Sequence, residues 1–556
     1  MALTLKTNEV MRQIRHLLTM AALAVMGAMM AGCASEDNII VDPQQPAGPT
    51  GPLTLTTTVT LGDGANATRA LTADGVKTFK EGDQIAVKYT YNIGIRQIDL
   101  SNALKATDIS SDGKTATFTV TLSQTPDADC NVTYVYPAVL GENGSRDEMI
   151  QNDQDGTLTT LASKFDYCEG SGTMGGTAPN FVLPTGVTLK NQLTLAKFTV
   201  NDGTSDITSG VTQLMIEDGT HGYVVNRTAA AGPIWVAMYP IASTQKIKVT
   251  AVKGTDLYQS GDITGKTLAK NNYYDISVTT PKIDMSTVSD DLKQPLTFEA
   301  KDGAATVKFT LASCVKKPVE YSTDGGTTWA TYTSETEISL ASEGDKVMFR
   351  GNNAAYSDGG GRSTFSVPDG ECYVYGNVMS LVNATAFPVV KTLTANNALR
   401  SLFDGCSEIN SLDSKKIVLP ATTLTEGCYA FMFFGCRSLT TAPALPATTL
   451  TANCYLYMFY ECGSLTTAPD LPATTLVDNC YSAMFNGCSS LNYVKCLATV
   501  IPADDCTQVW LDHVSDGGTF IISDDLNSSN PAPWTRDPDG IPSGWTVKCA
   551  KDENNE

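Results

Sequence analysis

The chain is long and acidic: it has 556 residues, of which 42% are apolar, 59 are Asp or Glu and 38 are Lys or Arg. A single hydrophobic core rarely serves a chain of this length, so about three to five domains are expected. The apolar fraction is too high for a disordered chain. An acidic surface repels phosphate backbones, which argues against a nucleic-acid partner.

The N-terminal segment has the composition of an export signal. Arg12 and Arg15 precede an apolar run at 17–30, which is followed by an Ala-Gly pair and Cys33. Basic residues, a short apolar run and small residues at the cleavage point predict a signal peptide over 1–32. The run is too short for a bilayer span, which takes ~20 apolar residues. The segment resembles a lipobox, which makes Cys33 the expected lipidation site. The alternative is an ordinary signal peptide with a chance cysteine.

Residues 33–52 form a predicted acidic and proline-rich linker. Ser35-Glu36-Asp37 resembles the acidic export signal of surface lipoproteins in Bacteroides-like bacteria. The alternative is a solvated linker with accidental acidic residues. The prolines that follow favour an extended spacer. The expected location is therefore the outer membrane, through an N-terminal lipid, with the chain exposed at the surface.

Residues 53–282 are predicted to form two β-sandwiches in tandem, at 53–172 and 173–282. Apolar residues alternate with threonine in the first of these, and the clearest runs are Leu53, Leu55, Val59 and Leu61, then Ile85, Val87, Tyr89 and Tyr91, then Ala116, Phe118, Val120 and Leu122. A period of two is typical of half-buried antiparallel strands. In the second half, strands are expected around 193–200, 234–239, 247–252 and 273–278. The predicted fold class is all-β.

The same region resembles a known family. The segments ATRALTADGVKTFKEGDQIAVKY, TATFTVTL, VTYVYPA and TLAKNNYYDISVT are similar to the fimbrillin-like family of Bacteroidales pilus subunits and surface proteins. The resemblance implies export as a lipoprotein, and cleavage by a trypsin-like protease after an arginine in the first strand, at a position matching Arg69-Ala70. Removal of that strand would open a groove for a strand of the next subunit. The alternative is an ordinary exposed arginine in a hairpin.

The second half of the chain contains a repeat of 26 residues. LPATTLTEGCYAFMFFGCRSLTTAPA begins at Leu419, and further copies begin at Leu445, Leu471 and, in degraded form, Leu497. Such a period with recurring leucine indicates a solenoid of leucine-rich type over 386–515. The element MFxGCxSL resembles BspA-type leucine-rich repeats. The apolar positions expected in the core are Leu424, Cys428, Met432, Phe433, Cys436 and Leu439, with their equivalents in later copies.

The repeat cysteines and the variable positions give two further predictions. The C-x7-C spacing does not suit zinc, so no metal or cofactor is expected, and a buried ladder of thiols is favoured over disulfides. Among variable positions, the candidate ligand face consists of Phe434, Tyr460, Asn486 and Tyr493. Variation on a fixed scaffold is what a recognition face shows, but drift at solvated positions predicts the same pattern. Short strands are expected at 440–441, 466–467 and 492–493.

Two remaining segments complete the predicted organisation. Residues 288–385 form a small β-domain that contains one Asp-box, from Ser322 to Trp329, which is interpreted as a hairpin turn. Residues 516–556, with Trp534 and Trp545, are expected to cap the open end of the repeats. No nucleophile or metalloprotease motif is present, so an enzyme is not expected.

The sequence therefore predicts a surface lipoprotein of adhesin or pilus-associated type. Its repeat domain would bind a host or bacterial surface protein or glycan, and its partners could include pilus subunits. Two other functions are weighed: a glycan-capture protein of an uptake system and, third, a glycan-acting enzyme. Soluble oligosaccharide binding would favour the former, and turnover of a glycan would favour the latter.

Overall fold

The computed structural model describes residues 53–62, 78–141, 143–227, 231–358, 360–502, 504–537 and 539–552. The predictions for Cys33, Arg69 and Ala70 lie outside the described residues. The described part is mostly β, and none of its helices is long and apolar enough to cross a membrane. Its α-helices are α1 (Asn143–Asn152), α2 (Leu158–Thr160), α3 (Asp290–Lys293) and α4 (Met379–Val382).

The first seven strands form one sheet in the order β3-β2-β5-β6-β7-β1-β4. They are β1 (Leu53–Leu61), β2 (Ala86–Tyr91), β3 (Ile95–Leu100), β4 (Thr115–Leu122), β5 (Asn131–Tyr136), β6 (Cys168–Thr173) and β7 (Val187–Asn191). The predicted alternation is confirmed, because Val59, Phe118 and Val120 are fully buried while threonines separate them. The sheet extends past the predicted boundary at 172, since β7 pairs in parallel with β1.

The next seven strands form a sandwich of two sheets, β10-β9-β12-β13 and β11-β8-β14. They are β8 (Thr194–Asn201), β9 (Val211–Glu217), β10 (Gly222–Asn226), β11 (Ile234–Met238), β12 (Lys248–Lys253), β13 (Asp256–Gln259) and β14 (Tyr273–Thr279). All four strands expected in this region are present as β8, β11, β12 and β14. Buried apolar residues such as Phe198, Ile216 and Val236 lie between the sheets.

A third β-region follows and shares its core with the repeats. Its strands are β15 (Leu296–Ala300), β16 (Ala305–Thr310), β17 (Val319–Ser322), β18 (Ala330–Thr331), β19 (Glu337–Leu340), β20 (Lys346–Gly351), β21 (Thr364–Asp369) and β22 (Cys372–Asn377). Strands β23 (Ile409–Asn410) and β24 (Ile417–Val418), from the first repeat, both pair in parallel with β22. One hydrophobic cluster accordingly runs from this region through the repeats, across the predicted boundary at 385.

The repeats fold as stacked coils held together by main-chain hydrogen bonds. Alternate amides donate to the next coil, as in Tyr429 N to Cys454 O at 3.1 Å and Phe433 N to Met458 O at 2.9 Å. An intervening amide closes a turn within its own coil, from Met432 N to Tyr429 O at 3.2 Å. All six predicted core positions of the first full copy are buried. Stacking thus satisfies the backbone and the core together.

At the C-terminal end of the stack, parallel strands form as β25 (Tyr493–Lys495), β26 (Thr519–Ile522) and β27 (Thr546–Cys549). The strand expected at 440–441 is absent among the described residues, and at 466–467 only Thr467 forms a bridge, to Tyr493. Each of the first two full copies has two prolines just beyond this segment: Pro443 and Pro446, Pro469 and Pro472. Proline has no amide to donate, whereas the third copy has Lys495 and Ala498 there.

The last residues cover the final coil with two tryptophans. The Trp534 ring stacks on the ring of Trp510 at 5.4 Å between centroids, and its indole nitrogen donates to Ala498 O at 3.1 Å. The indole nitrogen of Trp545 donates to Ser515 O at 2.9 Å. Both tryptophans are almost fully buried, so they close the hydrophobic end of the stack, where the sequence analysis placed a cap.

Candidate functional site

Four aromatic side chains meet on the outer surface of the first two full coils. This aromatic array consists of Phe431, Phe434, Tyr457 and Tyr460. The rings of Phe431 and Tyr457 stack at 5.0 Å between centroids with an interplanar angle of 6°, and those of Phe434 and Tyr460 stack at 4.8 Å with an angle of 4°. Within each coil the two rings are tilted against each other, at 6.0 and 5.4 Å. All four side chains are partly buried.

The turn geometry of the coils places these rings in two columns. Phe431 and Tyr457 have φ angles of 58° and 55°, in the left-handed region that non-glycine residues rarely adopt. They are the third residues of turns closed by hydrogen bonds such as Met432 N to Tyr429 O, where a positive φ is required. Large aromatic residues at such positions carry a conformational cost of about 1 kcal/mol or more. Folding alone would favour glycine there.

The array stops at the third full coil. Ala483 and Asn486 occupy the positions that Phe431 and Phe434 have in the first coil. Ala483 keeps the same backbone conformation, with a φ of 50°. The array therefore ends because the aromatic side chain is missing, while the backbone of the coil is unchanged. The amide of Asn486 donates to Val509 O at 3.2 Å.

Charged groups surround the array. The guanidinium of Arg400 lies 4.8 Å from the centroid of the Phe431 ring, which is a cation–π contact. Beside it, Arg362 forms an ion pair with Asp404. Burial, and then the charge of Glu461, raise the pKa of Tyr460. Tyr460 is therefore a neutral phenol at neutral pH.

The structure brings together only part of the predicted ligand face. Phe434 and Tyr460 stack directly, and Asn486 continues their column in the next coil. Tyr493 lies instead on strand β25, where it pairs in parallel with Thr519. The predicted column is also less exposed than expected, because each ring covers part of its neighbour.

The sequence analysis missed Phe431 and Tyr457. Their signal was present in the alignment of the copies, because the column of Phe431, Tyr457 and Ala483 loses its aromatic residue in the same copy as the column of Phe434, Tyr460 and Asn486. Joint loss at two positions three residues apart indicates that the positions are neighbours on one surface.

The repeat cysteines lie inside the coils. All fourteen described cysteines are free, and those of the three full copies are fully buried. The thiols of Cys436, Cys462 and Cys488 each donate to a carbonyl of the preceding coil, at 3.1, 3.1 and 3.0 Å. Burial raises the pKa of the Cys428 and Cys488 thiols to about 12, so they stay protonated. This arrangement agrees with the predicted ladder of buried thiols.

The Asp-box forms a self-contained hairpin between β17 and β18. Asp324 accepts hydrogen bonds from the Thr328 amide at 2.9 and 3.0 Å and from the Thr328 hydroxyl at 2.6 Å. These bonds, together with that from Ser322, lower the pKa of Asp324 to about 2. The carboxylate of Asp324 thus stabilises the turn, as expected from the interpretation of the Asp-box as a hairpin turn. Among the described residues no group of three or more His, Cys, Asp or Glu is placed to hold a metal ion.

Comparison with known proteins gives weak structural similarity only. No protein-family model and no curated protein matches the sequence. A fimbrial assembly protein from Parabacteroides distasonis is 12% identical, with 41% of this chain and 92% of that chain covered and a TM-score of 0.24. A candidate cell adhesion protein from Bacteroides uniformis is 15% identical, with 42% and 98% covered and a TM-score of 0.23. A streptococcal ancillary pilin is 11% identical, with 52% and 87% covered and a TM-score of 0.16.

Proposed function

We propose that this protein is a surface adhesin and that the aromatic array is its adhesive site. The observation that carries the proposal is the array itself: four partly buried rings on one surface, two of them in a backbone conformation that costs stability. Aromatic side chains offer large contact area at low entropic cost and dominate binding energy at interfaces. The same positive φ occurs at the equivalent positions Ser401, Ala483 and Val509, so the backbone of the coil does not require an aromatic residue there.

The proposal assigns separate roles to the two halves of the chain. The seven-stranded sheet and the sandwich at the N-terminal side act as a fimbrillin-like stalk, and the coils act as a leucine-rich-repeat solenoid of BspA type that presents the array. The position of β1 supports a pilus-associated role. β1 lies between β4 and β7, so its removal would open a gap in the sheet that a strand of another subunit could fill. Cleavage at Arg69 would leave β1 held by its hydrogen bonds to β4 and β7 and by the packing of Val59 and Leu61, without a covalent link to the rest of the sheet. The proposal includes no catalytic role.

Attachment through Cys33 supplies the first test. Acylation of Cys33 would hold the protein at the outer membrane, since several acyl chains give stable anchoring. We expect the Cys33→Ser variant to be released in soluble form, as measured by fractionation of cells that express it. Retention of this variant in the outer-membrane fraction would show that the anchor lies elsewhere.

The adhesive site is tested by comparing Tyr460→Ala with Tyr493→Ala in the full chain. Tyr460 belongs to the array, whereas Tyr493 lies on β25, so only the first change should weaken adhesion of expressing cells to host-protein and glycan surfaces. The expected loss is about 1–3 kcal/mol of binding free energy, because central aromatic residues dominate interfaces. Equal adhesion by both variants and the parent protein would show that the array is not the adhesive site. Capture of soluble oligosaccharide that depends on Tyr460 would favour the glycan-capture function instead.

A further inference from the structure

The two ends of the aromatic array differ in charge environment. At the end nearest the third β-region, the guanidinium of Arg400 lies against the Phe431 ring at 4.8 Å from its centroid. At the other end, Tyr457 and Tyr460 are followed by Ala483 and Asn486. No cation–π contact occurs at that second end among the described residues. One end of the array therefore has a cation on the face of a ring, and the other end has no such contact among the described residues.

Two carboxylates adjoin the end that has no cation–π contact. Arg437 contacts Oε2 of Glu461 at 2.7 Å, and His513 contacts Oδ2 of Asp512 at 2.9 Å. Oε1 of Glu461 and Oδ1 of Asp512 have no hydrogen-bond or ion-pair partner among the described residues. Glu461 follows Tyr460 directly in the chain, and Asp512 lies in the coil that stacks on Asn486, since the Gly487 amide donates to Asp512 O at 2.9 Å. Both carboxylates contribute to the raised pKa of Tyr460.

The wider surface has the same sign. Residues 431–515 contain six Asp or Glu residues against one Arg and one Lys: Arg437, which pairs with Glu461, and Lys495, which lies 3.7 Å from Asp470. The chain as a whole carries a formal charge of −21. A cationic partner would be attracted to this region, and an anionic glycan would be repelled.

We propose that the array binds an arginine-bearing segment of a partner protein, with a guanidinium placed against Tyr457 and Tyr460 and hydrogen-bonded to Glu461 and Asp512. Guanidinium is planar, stacks on aromatic rings and donates several hydrogen bonds to carboxylates at once. Arg400 on Phe431 is the internal precedent for the ring contact. The inference rests on the proposed adhesive function and specifies its ligand class.

The direct test is fluorescence anisotropy with the full chain and a labelled peptide, Gly-Ser-Arg-Gly-Ser-Arg-Gly-Ser. A matched peptide has citrulline in place of both arginines, because citrulline keeps the shape and loses the charge. We expect the arginine peptide to bind about tenfold more tightly than the citrulline peptide. Its binding should weaken as salt rises from low to physiological concentration. Equal affinity for the two peptides overturns the inference.

Three variants locate the contact. Glu461→Gln combined with Asp512→Asn removes both charges with little change of shape and should reduce affinity for the arginine peptide about tenfold. Ala483→Arg should occupy the open end from within and abolish binding, since Phe431 and Tyr457 show that this column accepts large side chains at positive φ. Asp470→Asn is the matched control, because Asp470 pairs with Lys495 on the strand side of the coil and should leave affinity unchanged.

The outcomes separate this inference from the adhesive function on which it rests. Suppose that Tyr460→Ala loses adhesion, while Glu461→Gln combined with Asp512→Asn changes neither adhesion nor peptide binding. The array then remains the adhesive site, and the proposal of an arginine ligand is overturned. Binding of a neutral oligosaccharide that competes with adhesion, without competition by the arginine peptide, overturns it as well. A correctly folded Ala483→Arg protein that still binds the peptide also contradicts it, and circular dichroism of that variant checks the fold.

Discussion

Among the aromatic stacks of the coils, an inner stack of phenylalanines and the outer aromatic array differ in burial and in the number of coils that they span. The inner stack of Phe403, Phe433, Phe459 and Phe485 has one ring in each coil, with centroids 5.2, 5.4 and 5.6 Å apart. It is fully buried. The outer stack is the aromatic array, which is partly exposed and ends after two coils. A solenoid needs the same residue in every coil to keep its core continuous, whereas a binding surface needs variation from coil to coil.

Truncation of the inner stack should have the largest effect on stability. Phe459→Ala removes a fully buried ring that has neighbours above and below, and should lower the free energy of unfolding by about 3–5 kcal/mol. Tyr457→Ala, two residues away on the outer surface, should cost about 0.5–1.5 kcal/mol, because it removes one stacked pair at the surface. Urea unfolding of the full chain followed by circular dichroism measures both. Similar losses for the two variants would show that the outer rings also belong to the core.

The sequence allowed the inner stack to be predicted better than the outer one. A 26-residue period with recurring Phe, Cys and Leu identifies buried positions directly, because each coil repeats the same packing environment. The positive φ angles could not be read in this way, since they occur at Phe431, Tyr457 and Ala483, which are not turn-forming residues. The first two full copies have prolines after the expected strand position, and the third copy, which lacks them, forms β25; proline disfavours strand pairing because it has no amide to donate.

The sequence pattern also did not predict the domain boundaries correctly. Alternation of apolar residues predicts strands but does not say which sheet each strand joins, so β7 was placed in the second sandwich although it pairs with β1. Likewise, Ile409 and Ile417 of the first coil were assigned to the repeats alone, whereas both extend a sheet of the preceding region through β22. Pairing between distant strands depends on tertiary packing that a local pattern does not encode.

A smaller effect on stability is expected at Glu461, which belongs to the proposed binding site and also has a strained backbone conformation. Glu461 has a φ of 56° at a position where neighbouring coils have glycine with φ of 76°, 70° and 77°. Glu461→Gly should relieve the backbone strain but lose the exposed ion pair with Arg437. The net result should be a rise of about 0.5 kcal/mol in the free energy of unfolding. Glu461→Gln keeps the strain and should show no gain. A destabilised Glu461→Gly protein would mean that the ion pair outweighs the strain.

The smallest expected effect concerns the hydroxyl groups of the array. Tyr457 and Tyr460 stack on rings of the preceding coil through their faces, and their hydroxyls have no hydrogen-bond partner among the described residues. Tyr460→Phe preserves the ring, so it should change adhesion less than about twofold, whereas Tyr460→Ala should reduce it strongly. Both variants can be measured in one cell-adhesion assay against the parent. A loss with Tyr460→Phe as large as with Tyr460→Ala would show that the partner bonds to the hydroxyl, and the outer stack would then serve to position that group.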